Sequence, residues 1–136
     1  MTDGRPPLEM EIARDDVRRR FAVRITGTFN FASAAAFVST VRTGDLASYT
    51  MLVDLRDATI DFTSEEVRRL AEQVGRTLRQ SGPRGAVALV TATPSDFGML
   101  RMYQTHTEIE GTSAINVFQS IADAEAWLSG GGSAGA

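Results

Sequence analysis

Between Leu8 and Ile25 the chain alternates. Leu8, Met10 and Ile12 are apolar, with Glu9, Glu11 and Ala13 between or beside them; after Arg14-Asp15-Asp16, Phe21, Val23 and Ile25 alternate with Ala22, Arg24 and Thr26. A period of two puts each apolar set on one face of a strand, so this segment predicts a hairpin of two half-buried strands. Gly27 is expected to close the second strand. Asn30 then stands where a helix cap belongs, ahead of Ala34, Phe37, Val38 and Val41 at helical spacing, with Gly44 as the stop. The nearly unbroken apolar run MLVDL at 51–55 predicts a central strand covered on both faces.

From Thr63 the period changes again. Val67, Leu70, Ala71, Val74 and Leu78 form one stripe of a second helix, with Glu65–Arg69 and Glu72–Arg76 as i,i+4 pairs and Gly82-Pro83 as its end. GAVALVTA at 85–92 predicts a buried strand, Pro94 opens a third helix, AINVF at 114–118 is a fifth strand, and Ser120 with Asp123 caps a short last helix carrying Ile121, Ala124, Trp127 and Leu128. The order β-β-α-β-α-β-α-β-α predicts an α/β fold, with a mixed, mostly parallel five-stranded sheet and about four helices. One domain over 8–129 is expected, with a flexible N-terminus at 1–7 and a disordered Gly/Ser/Ala tail at 130–136.

Composition removes several kinds of function. A net charge of −3 and a pI near 5.1, with no long basic run, argue against general nucleic-acid binding. Without cysteine there is no thiolate chemistry and no sulfur-ligated metal. No run approaches the roughly 20 apolar residues that span a bilayer, and the N-terminus lacks a signal-peptide core, so a cytoplasmic protein is expected. His106 has no second histidine to share a metal, no glycine-rich phosphate loop is present, and no serine elbow or triad can be assembled. No cofactor and no enzymatic activity are expected. Asp54, at the end of the third strand, invites comparison with the phosphorylated aspartate of response-regulator receivers. The acidic pair and lysine that would accompany it are missing, and a strand-end residue on solvent or a backbone N–H is the preferred reading.

Four segments taken in order, ITGTF, LVDLRDATIDFTSEEVRRLAEQV, AVALVTATPSDFGMLRMYQTHTE and INVFQSIADAEAWL, together resemble the SpoIIAA-like family of STAS-type domains. The resemblance runs from about residue 8 to 129 and is strongest in the F-G-M-x-R-M-Y stretch, a pattern of stand-alone bacterial members. It implies a mixed sheet with its helices largely on one face. In antagonists of anti-sigma factors a D-S-S-G motif follows the third strand, and its first serine is phosphorylated by a partner kinase. Here that motif falls on Phe62, Thr63, Ser64 and Glu65, so only the hydroxyls are kept. Thr63 and Glu66 also fit a capping box, a sufficient reason for the threonine on its own. Phosphorylation at Thr63 or Ser64 stands as the alternative, against the repulsion of Glu65 and Glu66.

The third helix offers a second candidate. Phe97 and Leu100 point one way, while Met99, Met102, Tyr103 and His106 form a stripe offset around the helix. An apolar arc this wide is covered by another element or presents itself to a ligand, membrane or partner. The family also resembles lipid-handling CRAL-TRIO domains, which implies nonpolar ligands. The first expectation is therefore a non-enzymatic binding module for a nonpolar small molecule or lipid, lined by Phe62, Leu70, Phe97, Met99, Met102 and Tyr103. Peripheral membrane contact through this helix, aided by Arg68, Arg69, Arg76 and Arg79, and a homodimer through exposed apolar surface are compatible with it. The alternative expectation is a regulatory protein–protein interaction module related to anti-sigma factor antagonists, switched at Thr63 or Ser64.

Overall fold

A computed structural model describes residues 7–41, 48–81, 85–109 and 115–130. Gly44, Gly82-Pro83, the N-terminus before Pro7 and the tail after Gly130 lie outside them, as do the side chains of Val41, Leu78 and Arg79. The chain runs β1 (Glu9–Asp15), β2 (Arg20–Asn30), α1 (Phe31–Val41), β3 (Thr50–Asp54), β4 (Ala58–Asp61), α2 (Ser64–Ser81), β5 (Val87–Val90), α3 (Pro94–Ile109), β6 (Ile115–Phe118) and α4 (Ile121–Ser129).

Strands β1 and β2 pair antiparallel, with Ile12 opposite Val23 and Met10 opposite Ile25. Asp15 makes the turn between them by accepting the N–H groups of Val17 and Arg18, both at 3.1 Å. Beyond this hairpin every pairing is parallel, and the strand order is β1-β2-β3-β5-β6. Each new parallel strand is added on the same side of the last. Crossovers of one hand therefore put α1, α2 and α3 on a single face of the sheet.

Gly27 does not end β2. The strand pairs with β3 through Arg20–Arg24, passes Gly27 at φ +83°, and pairs with β4 from Gly27 to Asn30. A side chain at Gly27 would place its Cβ 2.0 Å from the Pro7 carbonyl oxygen, so both the backbone angle and the space require glycine. β4 is the strand that hydrophobic pattern alone does not reveal. It has four residues, half-buried at best, and its partner lies about thirty residues upstream, so the sheet has six strands among the described residues where five were expected.

The central strand divides the core. Met51 and Val53 join Phe21, Val23, Ile25, Phe37, Leu70, Leu89 and Leu100 in the main cluster under α1–α3, while Leu52 faces Ala88, Val90, Ala124 and Leu128 under α4. Over β1 and β2 the α4 face has no helix among the described residues, and Glu9, Glu11, Ala13, Ala22 and Arg24 are exposed there. That is why β2 alternates whereas the apolar residues of β3 and β5 fill both faces.

Candidate functional site

The N-termini of all four described helices sit at the C-terminal ends of β-strands, and each is capped by a side chain. Asn30 Oδ1 accepts the Ser33 N–H at 3.0 Å, Thr93 Oγ1 accepts that of Asp96 at 3.1 Å, and Ser120 Oγ accepts that of Asp123 at 3.3 Å. The cap of α2 is reciprocal. Thr63 Oγ1 accepts the Glu66 N–H at 3.1 Å, and Glu66 Oε1 accepts the Thr63 N–H at 2.9 Å. This is the capping box, and it commits the Thr63 hydroxyl to the helix. Ser64, one residue on, is exposed at the first helical position.

Phe62 precedes the cap and Val67 is the fourth helical residue, the two positions of a hydrophobic staple. Both border an apolar cavity of about 70 Å³ between the sheet and α1–α3. Phe62 packs edge-to-face on Phe29, centroids 5.9 Å apart, and Phe29 does the same on Phe37 at 6.4 Å. Among the expected ligand-binding residues Phe62, Leu70 and Tyr103 line this cavity. Phe97, Met99 and Met102 do not; they are half-buried and pack against the margin of the main cluster.

Helix α3 buries one stripe, Leu100, Tyr103, Gln104 and Thr107, at the spacing i, i+3, i+4, i+7. Leu100 and Tyr103, one from each of the two apolar stripes expected from the sequence, thus share a single buried stripe, with Phe97 on one flank and Met99, Met102 and His106 on the other, because α3 packs between α2 and β6. Two polar side chains share the buried stripe, which apolar patterning cannot detect. Thr107 donates to the Gln104 carbonyl at 2.7 Å, and the Gln104 amide is held between Arg101 and Glu108 at 3.2 Å each. His106 is half-buried, and no cluster of metal-ligating side chains occurs among the described residues.

Asp54 is buried, with 12% of its side chain exposed. Its carboxylate accepts the Arg56 N–H at 3.1 Å and two guanidinium contacts from the same residue at 2.9 and 3.0 Å. Burial pushes this acid up, but the Arg56 bonds and the nearby Arg24 outweigh burial and hold it below the ordinary carboxylate range. The backbone N–H half of the sequence reading holds, whereas the solvent-facing half gives way to an ion pair in which the buried carboxylate meets the exposed Arg56.

On the outer face of α2 the ion pairs differ from those expected. Arg68 bonds Glu72 and also reaches Glu65 at 3.4 Å, while Arg69 lies over the Phe31 ring at 5.1 Å and is drawn away from Glu65. No helix among the described residues is long and apolar enough to cross a membrane.

No family model matches the sequence, and no curated protein matches it. Solved structures do. An anti-sigma factor antagonist from Mycobacterium paratuberculosis superposes with a TM-score of 0.55 at 15% identity, over 90% of this chain and 95% of its own. A protein of the DUF3478 family with a SpoIIAA-like fold, from Shewanella loihica PV-4, gives 0.55 at 14% identity, over 94% and 98%. The chain has a SpoIIAA-like, STAS-type fold. The further resemblance to CRAL-TRIO domains receives no support from these comparisons.

Proposed function

We propose that this chain is a non-enzymatic regulatory module that works by binding another protein, as a relative of the anti-sigma factor antagonists, with the start of α2 as the part of the surface that controls binding. The observation that carries the reading is the likeness to such an antagonist over nearly the full length of both chains. It is the alternative expectation from the sequence that this favours. The cavity supplies the size argument against a lipid: at about 70 Å³ it is well below the roughly 300–1,000 Å³ of pockets that enclose drug-sized ligands.

Within this reading the two hydroxyls have different work. Thr63 Oγ1 is engaged in the cap, so a phosphate there would dismantle the capping box that starts the helix. Ser64 is exposed and is the better acceptor. A phosphate on it would bring about −1.5 to −2 charge to the helix N-terminus, where backbone N–H groups favour it while Glu65 and Glu66 oppose it.

The test is a pull-down with wild type, Ser64→Glu and Ser64→Ala, each prey identified by mass spectrometry. A regulatory ATP-binding partner of the anti-sigma-factor type, retained by wild type and Ser64→Ala and lost with Ser64→Glu, is the expected result. An unchanged prey list across the three sinks the switch, and absence of any specific protein partner sinks the module reading as a whole.

A further inference from the structure

We infer that the tip of the β1–β2 hairpin is a docking site for a short acidic segment of a partner protein. This does not rest on the regulatory reading above. The tip adjoins the first residues of β2 and β3, Arg20 and Thr50, which pair with each other, whereas α2 starts beyond the opposite ends of the strands.

The stretch Arg14-Asp15-Asp16-Val17-Arg18-Arg19-Arg20 holds four cations and two acids in a chain of net charge −3. Both acids are engaged within the tip. Asp15 accepts the N–H groups of Val17 and Arg18, and Asp16 accepts Arg14 Nε and the hydroxyl of Tyr49. Arg18 keeps only a long contact with Asp15, 3.7 Å, and 70% of its side chain is exposed. Arg19 and Arg20 donate to hydroxyls, Ser48 Oγ at 2.7 Å and Thr50 Oγ1 at 3.3 Å, and meet no carboxylate among the described residues. Positive charge is therefore left over at the tip.

Arg19 carries the argument furthest. Its φ is +53°, in the left-handed region where glycine is the least costly residue. An arginine held at such a turn position points to a use for its side chain. That side chain lies over the buried Tyr49 ring, 5.2 Å from the centroid, and Arg14 lies 5.3 Å from the same centroid. One ring thus positions two guanidinium groups, so part of the side-chain freedom that an ion pair removes is lost before any partner arrives. Guanidinium matches carboxylate in a two-bond fork. Val17, 95% exposed between Asp16 and Arg18, offers apolar contact beside them, which suits a segment carrying an apolar residue among its acids. Scale favours a peptide over larger anions. Charge is screened within about 8 Å at physiological salt, so a short segment feels the tip alone, whereas nucleic acid or an anionic membrane also meets the net −3.

The proposal is tested by titrating the full chain with the peptide Glu-Glu-Leu-Glu-Glu, then with Gln-Gln-Leu-Gln-Gln, and following backbone amide resonances. Saturable shifts at residues 14–20 and 48–50, weakened by added salt, are expected for the acidic peptide and none for the neutral one. Arg19→Gly, which the turn geometry accepts, and Arg18→Ser are each expected to weaken binding about threefold to fivefold. Two variants are used so that misfolding of one does not remove the test, and the wild-type titration stands without either. Absence of saturable shifts up to millimolar acidic peptide overturns the site. Undiminished binding in both folded variants returns the arginines to a packing role and overturns it as well. Stronger shifts at the same residues with a short DNA duplex or with phosphatidylserine vesicles overturn the choice of a protein segment.

Discussion

The start of α2 and the body of α3 are the two places where the sequence suggests function, and they are built in opposite ways. At the start of α2 the outward residues are polar and exposed, Thr63, Ser64 and Glu65, while the residues flanking the cap, Phe62 and Val67, reach inward to a cavity. Helix α3 is apolar around a wide arc, yet its methionines are half-buried against protein, because α2 covers one side and β6 the other. The difference teaches that the width of an apolar arc reports the number of neighbours a helix has. A helix wedged between another helix and a sheet edge needs apolar residues on two flanks, and needs no ligand to explain them.

The contrast is broken most severely by truncating the buried stripe of α3. Leu100→Ala is expected to cost about 2–5 kcal/mol and Met102→Ala, half-buried, clearly less, both read from urea unfolding. Equal losses would mean that the flank is packed as tightly as the stripe, contrary to the assignment.

Next comes the turn that leads toward α2. Asp54 has its folded-state acidity strengthened, so its stabilising effect is fully present above the unfolded carboxyl range near pH 4 and is lost as pH falls through the lower folded value. Asp54→Asn is expected to destabilise by about 1.5–3 kcal/mol at neutral pH, with the gap from wild type closing under acid conditions. A gap that is constant with pH would remove the ion pair from the account.

Smaller still is the cap itself. Thr63→Ala is expected to cost about 1 kcal/mol and Ser64→Ala almost nothing, since only the threonine hydroxyl caps the helix. Equivalent effects of the two substitutions would argue against separate roles for them. The smallest change has the opposite sign. A Cβ built at Gly98, on the exposed side of α3, meets no atom within 4 Å, so Gly98→Ala is expected to stabilise by up to about 1 kcal/mol. A loss of stability there would show that the glycine serves the helix in a way its surroundings do not reveal.

Most of the fold is legible in the chain because local rules write it. Alternation at Phe21, Val23 and Ile25, the doubly buried run around Val53, and caps at Asn30, Thr63 and Ser120 all involve residues within a few positions of one another. The site is less legible. Phe62, Leu70 and Tyr103 meet at one cavity, but Phe29, Phe37 and Leu89, which form it with them, carry no mark that separates them from other core residues. Gln104 and Thr107 escape because a polar residue satisfied inside the core has the same letter as one in water.

By itself the sequence determined the kind and order of the long elements, the polar turn that opens α2, and the lack of any cysteine. Tertiary structure alone decided that β2 changes partners at Gly27, that β4 exists, that α3's methionines are packing, and where three helices leave a gap above the sheet. The physical reason is range. Periodicity and capping act through neighbours a few residues apart, whereas strand pairing and cavities depend on which distant side chains are brought together and on the small mismatch of their volumes.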